Sequence, residues 1–412
     1  MFTFAIHFSI IIILASFNII QMITHSEALK IVLDSDFILE TEMIPVSESV
    51  NRILAEDAVS GIFMPPFNKS MVDGYACLKN DIDKELVLDA VVGAGNLSSL
   101  QIKPGHCIKV MTGAPIPINT EIIVMVEDVK VTESCKISIL NKNSSGNISL
   151  KGEDIKVGDK VLEKGTLLKP FHCGILATIG KSMVEVHQRP KVGIIVTGDE
   201  IVEPGNPLDY SQIYNSNAYQ IISNCRTLSI VPDYYGIAHD SYQGVESAIH
   251  SMLEKNDVLI ITGGVSMGDY DYVAPVLKNS AMTVKFDSIL AQPGRPLVFA
   301  TDNKKFCFGM PGNPVSGFVL FETIVKPFLY KTMGHDFIPC ENQYKLKNKL
   351  VRKKASRKSF YPVKLNNDNT VSAIAYHGSA HLNAYAEAFG ITAMDIGVYE
   401  INEGQMINVR QI

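Results

Sequence analysis

Three glycine-rich turns in the second half of the chain could bind an anion. Each follows an apolar run, and their sequences are Thr197-Gly198-Asp199-Glu200, Gly263-Gly264-Val265-Ser266-Met267-Gly268-Asp269 and Gly309-Met310-Pro311-Gly312-Asn313-Pro314. Glycine lets the backbone approach a ligand, and N–H groups exposed ahead of a helix bind phosphate without a basic side chain. None of the turns is a GxGxxG or Walker A sequence, which disfavours a dinucleotide site of the usual kind. One such turn is as often an ordinary tight turn, but three at the strand ends of one sheet favour a binding site.

Carboxylates gather at the first two of these turns. Next to a phosphate-binding loop they suggest Mg²⁺, a hard cation that prefers oxygen ligands and bridges to phosphate. We expect Glu200 and Asp271 to be the metal ligands. The alternative is that such acids lie in the first turns of helices, where the helix dipole favours them, and Asp269 fits that role.

The elements that position these turns alternate between apolar runs and amphipathic helices. This alternation predicts an open, largely parallel α/β sheet over residues 190–335. Strands are expected at Val192–Val196, Val258–Thr262, Leu297–Ala300 and Lys305–Phe308, and helices at Tyr214–Asn224, Ser241–Lys255 and after Asn313. Ligands of open α/β sheets bind outside the carboxyl ends of the strands, where the turns lie.

The flanking segments are rich in short β-type runs. Between residues 83 and 169 the predicted strands are Glu85–Val92, Cys107–Thr112, Glu121–Val126, Lys136–Leu140 and Lys160–Leu168, and a short helix follows at Pro170–Gly180. A helix is also expected at Glu27–Leu33, with Ser26 as its N-cap. Strands return after residue 334, with Val398–Ile401 and Gln405–Val409 on either side of a turn, which predicts a small, barrel-like C-terminal β domain.

The bulk composition excludes some classes of function. A chain of 412 residues is too long for one core. Its net charge of -6 gives no reason to bind nucleic acid or an acidic membrane surface. Its seven cysteines are scattered, odd in number and form no CxxC pair, which argues against a zinc ribbon or a disulfide framework and for a reduced compartment, so we expect a cytoplasmic protein.

The first 21 residues admit three interpretations. Phe2 to Ile23 is largely apolar, has no charged residue and is long enough to span a bilayer. It has no basic region ahead of it and no clear cleavage site. We favour an upstream, wrongly assigned start, with Met22 as the natural one; a membrane anchor and a targeting segment are the alternatives. A membrane is a partner only if the anchor is real.

Eight segments in order resemble one family, the molybdopterin molybdenumtransferases, which include the E domain of gephyrin. They are PPFNKSMVDGYA (65–76), MTGAPIP (111–117), GEDIKVGD (152–159), VTGDEI (196–201), IYNSN (213–217), ITGGVSMGDYDYV (261–273), QPGRPLVFA (292–300) and MPGNPVSGF (310–318). A series of this length and order does not arise by chance, and the resemblance runs from Met22 to the C-terminus.

The resemblance implies an elongated homodimer with four domains in each subunit. These are domain I (22–65 and 151–189), domain II (66–150, β-rich), domain III (190–335, the α/β domain of molybdopterin-binding type) and domain IV (336–412). The implied reaction inserts molybdate into adenylylated molybdopterin with Mg²⁺ and releases AMP. The enzyme of the preceding step, a molybdopterin adenylyltransferase, is then an upstream partner.

The resemblance also assigns roles to individual residues. The implied catalytic acids are Asp73, which would reach the α/β domain of the other subunit, and Asp154, Glu200 and Asp271. The implied substrate-binding residues are Gly198 of the first turn, Gly264, Ser266 and Gly268 of the phosphate loop, Arg295, Pro311, Gly312 and Asn313 of an anion-binding rim, and Ser316 as an oxyanion contact.

Three departures from the family pattern bear on the anion site. This chain has Asn68-Lys69 where the family has Asp-Asn, Asn215 where it has Asp, and Gln292 where it has Lys. Losing the lysine removes one cation, which Lys69 could restore if its side chain points inward.

Three other functions remain open from the sequence. The adenylyltransferase shares the α/β domain, but it typically carries Gly-Gly-Thr-Gly where this chain has Gly263-Gly264-Val265-Ser266, and it lacks flanking β domains. A scaffold of gephyrin type would carry an extra domain and a long linker. A catalytically weakened paralogue would be consistent with the three departures.

Overall fold

The computed structural model describes residues 22–35, 37–96, 99–132, 135–142, 146–266, 268, 271–376 and 378–412. Segment 1–21 and Asp269, with the roles considered for them above, lie outside the described residues. Within the described part of the chain, no helix is both long and apolar enough to cross a membrane. The chain forms two compact units, a smaller one of residues 43–186 and a larger one from the described parts of 1–42 and 187–412. The finer division into four domains stays a prediction.

The larger unit is built around a mixed sheet with helices. Its strands are β1 (Val192–Thr197), β2 (Asp233–Ala238), β3 (Val258–Thr262), β4 (Thr283–Gln292), β5 (Pro296–Thr301) and β6 (Phe306–Met310). Its helices are α1 (Asn217–Thr227), α2 (Tyr242–Lys255), α3 (Val273–Asn279), α4 (Pro314–Leu320) and α5 (Lys326–Thr332), with a π-helical turn between the last two. The strand order is β2-β1-β3-β6-β5-β4. The first four strands pair in parallel, and β5 alone runs antiparallel to both of its neighbours, β6 and β4, which confirms the predicted, largely parallel sheet.

The chain reverses direction across the sheet at β1. It passes from β1 through α1 to β2 on one side, and then through α2 to β3 on the other side of β1. Every residue of β1 and β3 is buried, because both faces of a parallel sheet are covered. The crevice at such a reversal is where open α/β sheets bind ligands.

The C-terminal part of the larger unit forms a small closed barrel, as predicted. Its strands are Glu341–Leu346, Lys358–Leu365, Thr370–Ala373, Gly390–Met394 and Met406–Gln411. The pairing of Lys358–Leu365 with Gly390–Met394 closes the barrel. A separate ladder joins Leu350–Val351 to Glu400–Ile401. The barrel continues from the central sheet, because Ala291 and Gln292 of β4 pair with Lys358 and Ser359.

The smaller unit is mostly β-structure. Its main sheet contains Gly74–Cys77, Glu85–Val92, His106–Val110, Ile122–Met125, Val129–Val131 and Lys136–Ile139. Shorter strands are Thr41–Pro45, at the boundary of the two units, and Ala58–Val59, Lys69–Ser70, Ile148–Ser149, Lys160–Leu162 and Met183–His187, and the helix is Pro170–Thr178. The strand predicted to extend to Leu168 ends at Leu162 because a turn at residues 164 and 165 follows it.

Two helix starts differ from the sequence prediction. The first helix, His25–Leu33, has Thr24 rather than Ser26 as its N-cap, because Thr24 and Glu27 form a reciprocal capping box. Helix α1 begins three residues later than expected, at Asn217. The residues before it, Ile213–Tyr214, instead form a short parallel ladder with Ile201–Val202.

Gly74 lies where two strands leave no room for a side chain. It pairs with Val110 on one side and Met125 on the other. A Cβ there would lie 2.5 Å from the carbonyl oxygen of Val124 and 2.7 Å from a methyl group of Ile123. We expect Gly74→Ala to lower the free energy of unfolding by about 3 kcal/mol, as overpacking of a core does, measured by urea denaturation. Gly61→Ala, where a Cβ meets nothing within 4 Å, is the control, and an equal loss in both variants would contradict this reading.

Candidate active site

A cavity of about 1030 Å³ opens at the carboxyl ends of β1, β3 and β6. All of its lining residues belong to the larger unit. The sequence-predicted residues that line it are Gly198, Glu200, Gly264, Ser266, Gly268, Asp271, Arg295, Pro311, Gly312, Asn313 and Ser316. The structure therefore brings together the residues predicted in the three glycine-rich turns and the Arg295 loop, although it does not test their individual roles.

The second glycine-rich turn can form only because it begins with glycine. Gly263 has a φ of +94°, and a Cβ on it would lie 2.2 Å from the carbonyl oxygen of Thr197. Strand ends β1 and β3 thus approach each other more closely than any side chain would allow. This close approach forms the floor of the cavity.

Three carboxylates line the cavity. Glu200 and Asp271 were predicted, and one oxygen of Asp271 accepts a hydrogen bond from the Gly268 N–H at 2.6 Å. The third, Asp240, follows β2 and was missed because His239-Asp240-Ser241 resembles an ordinary helix start. Burial raises the pKa of Asp240, and the carboxylates of Asp199, Glu200 and Asp271 raise it further.

The donor set fits a hard cation without forming a complete protein cage. The Oδ1 atom of Asp240 is buried and has no hydrogen-bond partner among the residues that the structure describes. Among the described residues, no group of three or more His, Cys, Asp or Glu is arranged to hold a metal. Mg²⁺ is usually bound by one or two carboxylates together with water and substrate phosphates, so the residues fit an ion that arrives with a phosphate ligand.

Two arginines provide the positive charge of the cavity. Arg295 was predicted, whereas Arg357, the residue before a barrel strand, was not. Neither guanidinium has an ion-pair or hydrogen-bond partner among the described residues. Gln292, in the position of the family lysine, lines the same cavity and is exposed. Unpaired guanidinium groups beside a neutral amide form a site for an oxyanion.

A loop of the barrel closes one side of the cavity. Tyr376 and Ser379 line it, and the Tyr376 hydroxyl is buried with no hydrogen-bond partner in the described part of the chain. The third glycine-rich turn leads into α4 with Asn313 as N-cap and Pro314 in the first turn, as predicted, but the Asn313 side chain makes no cap bond. The backbone N–H of Val315 donates to the Ser379 carbonyl at 3.1 Å. One N–H group at this helix start is therefore not available to an anion, and the anion-binding role of the turn stays a prediction.

Two predicted acids lie in the smaller unit, outside the cavity lining. The Oδ1 atom of Asp73 accepts hydrogen bonds from the backbone N–H and the hydroxyl of Thr112, each at 2.7 Å. These bonds hold the pKa of the exposed Asp73 carboxyl below its usual value. Asp154 is exposed in a loop whose backbone is tied to Met64. Their catalytic roles stay predictions.

The position of Lys69 leaves its compensating role a hypothesis. Lys69 lies in a short strand paired with Ile148–Ser149 and is half-buried, while Asn68 accepts a hydrogen bond from the Lys151 N–H. If Lys69 replaces the missing lysine at Gln292, reversing both positions should have non-additive effects on molybdate affinity. Strictly additive effects would contradict the hypothesis.

The hydrogen-bond partners of Asn215 explain why this position holds an amide and not a carboxylate. Its Nδ2 atom donates to Glu203 at 3.0 Å and to the Tyr234 hydroxyl at 2.7 Å, and its Oδ1 accepts from the Ala218 N–H. Asn215 is only 2% exposed. A carboxylate here, as in the family pattern, would face the Glu203 carboxylate, and the single Tyr234 hydroxyl proton between them is already donated to Glu203.

We therefore expect Asn215→Asp to destabilise the fold. Replacing a buried donor by a like charge should cost about 1–3 kcal/mol, seen as a lower urea midpoint. Adding Glu203→Gln should recover most of the loss, because an amide donor again faces the carboxylate. Asn206→Asp, at an exposed position of the same loop, is the control; the interpretation is wrong if the double variant is less stable than Asn215→Asp.

Comparisons with known proteins find the same kind of relative, proteins of molybdopterin biosynthesis, over nearly the whole chain. Residues 23–180 match the family model described as "MoeA N-terminal region (domain I and II)", and residues 193–331 match the one described as "Probable molybdopterin binding domain". A molybdopterin molybdenumtransferase of Haemophilus influenzae is 32% identical over 90% of this chain and 94% of its own length. A Bacillus subtilis protein of the same name is 34% identical over 70% of each chain. The crystal structure of a molybdopterin biosynthesis moeA protein from Pyrococcus horikoshii superposes with a TM-score of 0.82 at 29% identity, covering 95% of this chain and 100% of that one.

Proposed function

Because the chain belongs to the molybdopterin molybdenumtransferase family, a family of transferases of molybdenum cofactor biosynthesis, we propose that it inserts molybdate into adenylylated molybdopterin with Mg²⁺-dependent release of AMP. The observation that carries this proposal is that carboxylates and unpaired arginines line one and the same cavity. Glu200, Asp240 and Asp271 supply negative charge, and Arg295 and Arg357 supply unpaired positive charge. A substrate with a metal-bound pyrophosphate and a separate oxyanion needs both.

The carboxylates are proposed to act on the pyrophosphate of the substrate. Glu200 and Asp271 would hold Mg²⁺ beside the phosphate loop of Gly264, Ser266 and Gly268. Bound Mg²⁺ supplies charge stabilisation for the phosphate oxygens. The loop residues orient the pyrophosphate through backbone N–H groups and the Ser266 hydroxyl, so that the adenylyl P–O bond is presented for cleavage.

The arginines are proposed to hold molybdate, a tetrahedral oxyanion. A planar guanidinium donates two parallel N–H groups to such oxygens. Arg295 lies in the loop after β4, and Arg357 enters from the barrel. Holding molybdate in the same cavity as the pterin dithiolene would convert metal insertion into a step between two bound, oriented reactants. Gln292 and Ser316 can add neutral hydrogen bonds.

The proposal includes three features that come from the resemblance. The protein acts as a homodimer in which Asp73 serves the α/β domain of the other subunit, its substrate comes from a molybdopterin adenylyltransferase, and it works in the cytoplasm. Light scattering of the purified chain tests the first of these. A monomer that retained full activity would contradict the role proposed for Asp73.

The activity itself has a direct test. Purified protein starting at Met22 is supplied with adenylylated molybdopterin, Mg²⁺ and molybdate, and AMP is measured together with reconstitution of a cofactor-free molybdoenzyme. We expect AMP release and active cofactor, both lost when Mg²⁺ is chelated. Failure to release AMP and to form active cofactor would contradict the proposal.

A further inference from the structure

The side-chain amide of Asn217 is held in one orientation at the floor of the cavity. Its Nδ2 atom donates to the hydroxyl of Thr262 and to the carbonyl of Gly312, each at 2.8 Å. The Gly312 carbonyl can only accept, so the nitrogen and not the oxygen must face it. The Thr262 hydroxyl donates onward to the Pro311 carbonyl at 3.3 Å and therefore also accepts from the amide.

This orientation leaves the Asn217 oxygen buried without a partner. Oδ1 of Asn217 is among the buried polar atoms that have no hydrogen bond in the described part of the chain, and so is Oγ1 of Thr197. Both residues line the cavity. A buried acceptor without a donor destabilises the protein, so an atom fixed in this way is typical of a ligand contact.

The two unpartnered atoms lie where the chain reverses across the sheet. Thr197 ends β1, and Asn217 is tied to Thr262, which ends β3. The crevice between these two strand ends is the ligand position expected for this topology. The location and the missing partners are independent observations, and both point to the same part of the cavity.

The unpartnered Oδ1 atom of Asn217 determines which kind of ligand group can bind there. A carbonyl oxygen repels the oxygens of phosphate or molybdate, and it binds either an O–H or N–H donor or a cation. The cation proposed for this cavity is assigned to Glu200 and Asp271, so the partner left for Asn217 is an O–H or N–H group. Resting on the proposed function, we propose that Asn217 determines substrate specificity by accepting a hydrogen bond from a neutral donor group of the substrate, with the Thr197 hydroxyl as a second contact. Two parts of adenylylated molybdopterin carry such donors, the ribose hydroxyls of the adenylyl group and the N–H groups of the pterin.

Deoxynucleotides separate these two sources. Calorimetry on the full chain compares AMP, 2′-deoxy-AMP and 3′-deoxy-AMP, and the KM for adenylylated molybdopterin is measured by AMP release. If the donor is a ribose hydroxyl, the unaltered protein should prefer AMP over one deoxy analogue by about tenfold, and Asn217→Ala should abolish that preference. If the donor is a pterin N–H, the nucleotide preferences stay unchanged and Asn217→Ala raises the KM about tenfold with less effect on kcat.

Thr262→Val is the matched control, because it tests whether Asn217 acts only by stabilising the local structure. It removes one of the two bonds that orient the amide but leaves Oδ1 in place, so it should weaken all ligands alike and keep any preference for a hydroxyl. If Asn217→Ala lowers the melting temperature too far, Asn217→Gln, which retains the amide and moves its oxygen, replaces it. If an Asn217 variant keeps both the nucleotide preference and the KM of the unaltered protein, only the inference about Asn217 is overturned. If the unaltered protein neither binds AMP nor releases it, the proposed function is overturned as well.

Discussion

Replacing either predicted metal ligand by its amide should lower kcat for AMP release by about 10²–10³, the loss typical when one group that stabilises transition-state charge is removed. Glu200→Gln and Asp271→Asn each keep the shape of the side chain while removing its charge. Asp271→Asn also keeps a carbonyl oxygen that can accept from the Gly268 N–H, the bond that orders the turn. Loss of charge is thereby separated from loss of structure.

The control for this prediction is the neighbouring acid. Asp199 precedes Glu200 in the same turn but does not line the cavity, so Asp199→Asn should change kcat only slightly. Titrating Mg²⁺ gives a second measurement, because losing one ligand should raise the Mg²⁺ concentration needed for half-maximal rate. Amide variants with unaltered kcat and unaltered Mg²⁺ dependence would exclude Glu200 and Asp271 as the metal site.

The sequence was most informative where the signal is local. β1 and β3 are continuous apolar runs because both their faces are covered, and the glycines that follow them are required by the close approach of the strand ends. The three turns and their acids could therefore be assigned to one edge of one sheet. The family motifs added the individual roles, since spacing alone supported only a Mg²⁺-dependent nucleotide site.

The residues that the sequence missed come from distant parts of the chain. Arg357 and Tyr376 reach the cavity only because the barrel continues from β4 through the pairing of Ala291 with Lys358. No pattern around Arg357 indicates that contact. The orientation of Asn217 is equally non-local, because it depends on Thr262 and Gly312. Such contacts follow from tertiary packing and cannot be derived from periodicity.

Local competition explains the misplaced helix starts. Thr24 and Ser26 are both good N-caps by residue type, and Thr24 prevails because Glu27 lies at the spacing of a capping box. Before α1, the residues Ile213–Tyr214 are apolar enough for a helix face, but they gain backbone partners in Ile201–Val202. In the first case the decisive partner, Glu27, was already part of the predicted helix, whereas in the second the partner strand lies outside the segment on which the prediction was made.

The second large effect is expected for the two arginines that are proposed to bind molybdate. Arg295→Ala and Arg357→Ala should each raise the KM for molybdate by roughly 10–100-fold, since a hydrogen bond to a charged group contributes about 1.5–3 kcal/mol. Arg357→Lys should restore only part of the affinity, because an ammonium group cannot donate the parallel pair of hydrogen bonds. Lys353→Ala, at an exposed position outside the cavity lining, controls for a general loss of positive charge.

Gln292→Lys tests the same site by adding a positive charge instead of removing one. A third cation beside Arg295 and Arg357 should lower the KM for molybdate several-fold at low salt, and the gain should shrink as ionic strength rises and screens the added charge. The same substitution in an Arg357→Ala background should recover part of the lost affinity, because both side chains would act on one bound anion. If Gln292→Lys leaves the KM for molybdate unchanged at every salt concentration, the arginines of the cavity do not hold the oxyanion next to position 292, and the molybdate site proposed at Arg295 and Arg357 is wrong.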